Sequence, residues 1–136
     1  MNDFIKLFLV VLLSGQMNIF AQKKSNTKLP IDILQQFINS TEKFELNDAT
    51  AFKHVDLPKS YHNIFLSFIK DSSVAEIAGI KSPIYYRITL KNGNFYNGDV
   101  YLNGNKSFII FKINEKKYIN YFTPEGVVQI KNIFKL

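Results

Sequence analysis

Residues 84–102 read IYYRITLKNGNFYNGDVYL, and this stretch decides the fold. Ile84, Tyr86, Ile88 and Leu90 alternate with Tyr85, Arg87 and Thr89, and Tyr96, Gly98, Val100 and Leu102 alternate with Phe95, Asn97, Asp99 and Tyr101. A period of two is the signature of strands with one face in a core. The intervening Asn92-Gly93-Asn94 are residue types that tolerate positive φ, so the two runs predict a β-hairpin. With those three residues as the loop, Lys91 faces Phe95, Thr89 faces Asn97, Arg87 faces Asp99 and Tyr85 faces Tyr101. The apolar set then collects on one face, and a one-residue slip would mix it with the polar set.

The second face of that hairpin holds the candidate binding residues Tyr85, Arg87, Asp99 and Tyr101. Two tyrosines beside a charge pair make a surface able to stack on a sugar ring or anchor a protein partner. The same residues also suit an ordinary solvated sheet face with cross-strand pairs.

Downstream, Asn103-Gly104-Asn105 predicts a turn and Ser107 to Ile113 a strand, SFIIFKI, apolar on both alternating sets through its middle, which fits a central strand covered on both faces for part of its length or one twisted enough to share two environments. Its favoured register opposes Val100 to Ile109 and Gly98 to Phe111; the alternative opposes Val100 to Phe108. Asn114-Glu115-Lys116 predicts another turn, Lys117 to Phe122 a strand, Thr123-Pro124-Glu125-Gly126 a turn, and Val127 to Phe134 a last strand.

Upstream the period changes to that of helices. Ile31, Leu34, Phe37 and Ile38 predict a helix from Pro30 that ends near Asn39-Ser40 or runs on to Phe44. Asn47 to Phe52 fits a short capped helix. Tyr61, Ile64, Phe65, Phe68 and Ile69 form one apolar stripe of a helix beginning near Leu57-Pro58, with His62 off the stripe. Asp71-Ser72-Ser73 ends it, and Ser73 with Glu76 predicts a capped turn stopped at Gly79. The expected fold is α+β, with N-terminal helices packed on a C-terminal antiparallel β-meander of four to five strands.

At the N-terminus, Lys6 precedes the apolar run Leu7 to Leu13, and Ala21 offers a small residue for cleavage, the pattern of a secretory signal peptide over residues 1–21. The run is well short of the ~20 residues that span a bilayer, so no stable membrane insertion is expected after cleavage. Residues 22–29 read as a flexible lead-in and residues 30–136 as one domain. The expected location is the periplasm or the cell exterior. With no cysteine, the domain has no disulfide to hold it, and packing must do so.

The formal charge of +6 survives cleavage, because the leader holds one lysine and one aspartate. The basic residues are scattered, with Lys23-Lys24 and Lys116-Lys117 the adjacent pairs, so no nucleic-acid module is expected. The absence of cysteine also excludes thiol catalysis and zinc-thiolate sites. His54-Val55-Asp56 followed by His62 supplies three potential metal ligands, the sharpest chemical pattern in the chain, though its spacing is not that of a helical zinc motif. The other reading has Asp56 capping a helix and both histidines at the surface. No serine lies in a nucleophile-elbow context. Gly93, Gly98 and Gly104 punctuate strands and turns rather than opening a helix, so no phosphate loop and no cofactor are expected.

Two resemblances follow from these elements. Tyr96-Asn97-Gly98-Asp99-Val100-Tyr101-Leu102-Asn103-Gly104 resembles one unit of the membrane occupation and recognition nexus repeat, present here in a single copy, where a repeat array needs several. The order of helices and meander, with the stretch Asn47-Asp48-Ala49-Thr50-Ala51-Phe52, resembles the nuclear transport factor two-like and cystatin-like cone-fold group. That resemblance implies a curved sheet wrapped on a helix and carries over no catalytic residue. The leading expectation is an exported, non-catalytic domain that binds a protein partner or an extracellular glycan or small ligand, an inhibitor or immunity-type protein being one form. The alternative is a small cone-fold pocket enzyme using an acidic residue with His54 or His62 as acid and base.

Overall fold

The computed structural model describes residues 27–74 and 81–135. The stretch expected to be a signal peptide, most of the expected lead-in, and the residues from Ala75 to Ile80 in which a capped turn is expected lie outside the described residues.

The chain runs α1 (Ile31–Ser40), β1 (Thr41–Asp48), β2 (Lys53–Leu57), α2 (Lys59–Ser67), β3 (Ile69–Ser73), β4 (Ile84–Leu90), β5 (Phe95–Tyr101), a short 3-10 turn (Gly104–Lys106), β6 (Phe108–Ile113), β7 (Lys116–Phe122) and α3 (Pro124–Phe134). All seven strands form one antiparallel sheet in the order β2-β1-β4-β5-β6-β7-β3. The fold is α+β, but with seven strands rather than four to five, and with helices at both ends of the chain rather than only before the sheet.

Each departure from the sequence expectation has a local cause. Phe44 and Leu46 alternate with Lys43, Glu45 and Asn47, so the stretch after α1 satisfies strand periodicity and buries Phe44 and Leu46 completely. Asn47 to Phe52 is therefore not a helix. Asp48 ends β1, and its Oδ1 accepts the amides of Thr50 (2.8 Å) and Ala51 (3.0 Å), closing a turn on its own side chain. The last element is a helix rather than a strand. Thr123 Oγ1 accepts the Gly126 amide at 3.1 Å, Pro124 occupies the first turn, and Gly126, Ile130 and Phe134 are buried at helical spacing. Residues expected to finish the second helix instead leave it at Ser67 and form β3, which pairs with β7.

The sheet is strongly coiled. Phe65 of α2 lies 4.8 Å from Phe44 of β1 and 6.0 Å from Phe122 of β7, measured between ring centroids. In a flat sheet those two strands would stand about 19 Å apart, four strand spacings. A single ring touches both because the sheet wraps around α2, which in turn joins the two edge strands, β2 and β3. Burial of a Phe side chain such as Phe65, wholly inaccessible here, contributes about 1.5–3 kcal/mol.

The concave face is filled by side chains. Phe37 of α1 packs on Tyr96 and Phe111 at 5.0 and 5.7 Å, and Tyr86 packs on Phe111 at 5.6 Å. The hairpin contributes Ile84, Tyr86, Ile88, Leu90 and Val100 to this core, the face expected from its alternation. The third strand of the meander, β6, pairs Val100 with Ile109 and Gly98 with Phe111, the favoured register. Its four residues Phe108 to Phe111 are all buried, two on each face.

Residues 27–29 are tied into the domain. Thr27 bridges Tyr118, and the Leu29 amide donates to the buried Asn120 side chain at 2.7 Å. The Asn120 amide nitrogen donates at the same distance to the Lys70 carbonyl, so one side chain links the incoming chain, β7 and β3.

Candidate functional site

The convex face of the sheet carries the outward residues of every strand, and it divides in two. Toward β6 and β7 it is apolar: Phe108, Ile110 and Ile119 are buried in a second cluster with Val74, Tyr101 and Tyr121 around them. Over β2, β1, β4 and the start of β5 it is open and polar, with Lys43, His54, Asp56, Tyr85, Arg87, Phe95 and Asn97 all exposed.

The structure places Tyr85, Arg87, Asp99 and Tyr101 on this one face, but with different cross-strand partners from those expected. The loop is Lys91-Asn92-Gly93, because Gly93 adopts φ +85°, its amide donates to the Leu90 carbonyl (2.9 Å), and the Leu90 amide donates to the Asn94 carbonyl (2.8 Å). The positive φ at Gly93 closes the hairpin one residue earlier. Tyr85 therefore opposes Asp99, Arg87 opposes Asn97 and Thr89 opposes Phe95. Because the shift preserves alternation, no residue changes face.

The consequence is that Arg87 and Asp99 do not pair with each other. Arg87 Nε donates to Asn97 Oδ1 at 3.2 Å, and its guanidinium lies 4.7 Å from the centroid of the Phe95 ring. Tyr85 stands beside it, 43% exposed, and Phe95 is 56% exposed. Asp99 instead pairs with Lys112 on β6 at 3.0 Å. Tyr101 is half-buried and stacks on Phe108 at 4.6 Å, within the apolar half of the face. The open patch is thus centred on Tyr85, Arg87 and Phe95. The sequence pairing of Phe95 with Lys91 hid its place opposite Thr89.

Beside that patch, the β1–β2 ribbon carries a charged group. Glu45 opposes Asp56 and Asn47 opposes His54 across the two strands, while Glu45 opposes Arg87 on the other side. His54 Nδ1 lies 2.7 Å from Asn47 Oδ1, and Nε2 lies 2.9 Å from Asp56 Oδ1 and 4.0 Å from Glu45 Oε1. The Lys43 ammonium donates to Glu45 at 2.9 Å and stands 3.5 Å from Asp56; the Glu45 hydrogen bond raises its pKa above the ordinary lysine value. Of the metal ligands expected from sequence, His54 and Asp56 are together here. His62 is not: it is buried on α2, against the expectation of a surface histidine, with Nε2 2.9 Å from the Leu57 carbonyl. Helix α2 buries His62, Phe65 and Leu66 and leaves Ile64 47% exposed, because its inward side faces both β1 and β3 rather than one flat sheet. The third member of the cluster is Glu45, one strand away.

A cleft of about 500 Å³ beside α3 is lined by Lys70, Phe122, Val127, Val128 and Lys131 among others, and among the described residues no carboxylate or imidazole lines it. Among the described residues no helix is long and apolar enough to cross a membrane. Compared with known proteins, the chain matches no family model, no curated protein sequence and no solved structure.

Proposed function

We propose that this chain is an exported, non-catalytic binding domain that recognises a protein partner through the open convex face of β2, β1, β4 and β5. Tyr85 and Arg87 form the centre of that surface, with Phe95 as the platform beneath Arg87 and Asp99 and Tyr101 at its boundary. Export rests on the leader pattern Lys6 to Ala21. The observation that carries the binding reading is the exposed Tyr85-Arg87-Phe95 patch over a core filled with aromatic rings. Tyrosine and arginine are residue types that dominate interface energetics, and Arg87 is already held by Asn97 and Phe95.

The pocket-enzyme alternative draws less support. It needs an acid or histidine inside a polar cavity, whereas the concave space holds Phe37, Phe44, Phe65, Tyr86 and Phe111, and His62 is engaged with a backbone carbonyl.

The test is affinity capture from the producing cell's envelope with the wild type and with a Tyr85→Ala/Arg87→Ala double variant, both checked for unchanged melting temperature. The reading expects a protein retained by the wild type and at least about 30-fold weaker on the variant. Equal retention overturns it. A response of the wild type to a glycan panel, lost in Tyr85→Ala, reassigns the same face to carbohydrate.

A further inference from the structure

We propose that Glu45, His54 and Asp56 form a zinc-type divalent metal site on the convex face of the β1–β2 ribbon, oriented by Asn47 and guarded by Lys43. The inference does not depend on the partner-binding reading.

The three donors come from two directly hydrogen-bonded strands in fixed register, Glu45 opposite Asp56 and Asn47 opposite His54, so their backbone positions are set by the sheet rather than by a loop. Their ligand atoms all lie within 4.8 Å of one another, with His54 Nε2 2.9 Å from Asp56 and 4.0 Å from Glu45. A tetrahedral zinc with bonds of about 2.0–2.2 Å holds its donors about 3.3–3.5 Å apart, so the observed spread straddles the required spacing. Three protein ligands leave the fourth position to water.

The imidazole supplies a separate argument. Asn47 Oδ1 is an acceptor 2.7 Å from Nδ1, which assigns a proton to Nδ1. Nε2, the other ring nitrogen, is then aimed at the side where Asp56 and Glu45 stand, 2.9 and 4.0 Å away. An outer hydrogen bond that sets the tautomer and aims the other nitrogen is also the usual support of a metal-bound histidine.

Lys43 is the built-in competitor. Its ammonium sits 2.9 Å from Glu45 and 3.5 Å from Asp56, near the place a cation would take, on a flexible stem that is half-exposed and free to swing away. A divalent ion brings twice the charge and displaces it. The site is thereby weakened for ions that make only carboxylate contacts, while imidazole coordination favours zinc, nickel or copper over magnesium and calcium.

The experiment is titration of the chelator-stripped full chain with zinc by calorimetry, repeated with cobalt to read visible d–d absorption. One zinc per chain, released by chelator, is expected, with a cobalt spectrum of low coordination number. His54→Ala and Glu45→Gln should abolish uptake; His54 is exposed and Glu45 part-buried, so folding of both variants is checked by melting temperature. Asn47→Ala should weaken zinc about 10- to 100-fold, the usual effect of losing an orienting partner. Lys43→Met should tighten it. Failure of both the wild type and Lys43→Met to take up zinc overturns the proposal, as does uptake that survives His54→Ala. A preference for calcium or magnesium over zinc also overturns it.

Discussion

Replacing Gly98 with alanine should destabilise the domain by about 3 kcal/mol or more. Gly98 lies on β5 between β4 and β6, facing the core. A Cβ built there would stand 1.9 Å from the Ile110 carbonyl oxygen, 2.5 Å from the Tyr86 hydroxyl and 2.6 Å from Tyr86 Cε1. The first contact is with backbone of a paired central strand, which cannot rotate out of the way. The second would break the hydrogen bond that the buried Tyr86 hydroxyl donates to that same carbonyl at 2.9 Å. In a domain of this size the loss corresponds to a fall in Tm of about 10–20 °C. Urea denaturation gives the free energy directly, and Gly93→Ala is the matched control. Gly93 has φ +85° and open space around it, so its variant suffers only the left-handed backbone cost of about 1–2 kcal/mol. Adding Tyr86→Phe to Gly98→Ala should not restore stability, since the Ile110 contact persists. A Gly98→Ala protein within about 0.5 kcal/mol of wild type would refute the register that sets Gly98 against Phe111 and beside the Ile110 carbonyl.

Three further outcomes are expected. Asn120→Ala strands the Leu29 amide and the Lys70 carbonyl, and should cost about 2–4 kcal/mol by denaturation, with faster hydrogen exchange at Leu29. Thr123→Ala removes the cap of α3 and should cost about 1 kcal/mol; no change would contradict a helix starting at Pro124. Burial first, and then the Asp99 carboxylate, push the Tyr86 hydroxyl well above the ordinary tyrosine range. The folded-state pKa is thus above the unfolded value near 10, so this contribution is intact below pH 10 and is lost as pH rises through the folded pKa. Alkaline denaturation should show a slope of up to about 1.4 kcal/mol per pH unit above pH 10 that is absent in Tyr86→Phe.

The candidate surface was legible only where its residues share one hairpin. Alternation placed Tyr85, Arg87, Asp99 and Tyr101 on a common face, because a side chain's face depends only on its own strand's period. Which of them meet depends on the loop, and Gly93 rather than the whole Asn92-Gly93-Asn94 triplet sets it. His54 and Asp56 stood out as potential ligands two residues apart, but Glu45 did not, because its proximity to them arises from pairing across the β1–β2 turn. That turn was hidden by Asp48 and Thr50, residue types that cap helices and close turns with the same hydrogen bonds.

By itself the sequence determined the leader pattern, the β4–β5 hairpin and its faces, the apolar middle of β6, and helices at Ile31 and Lys59, all local consequences of periodicity and turn chemistry. Tertiary structure alone decided the rest. The stretch after α1 becomes a strand because β4, 36 to 49 residues away along the chain, offers it a partner, and Ile69 to Ser73 becomes one because β7 does. His62 is buried because α2 lies inside a coiled sheet, and the convex patch exists because the three helices pack inside the coil. Those choices depend on free energy gained between residues far apart in sequence, which no local window contains.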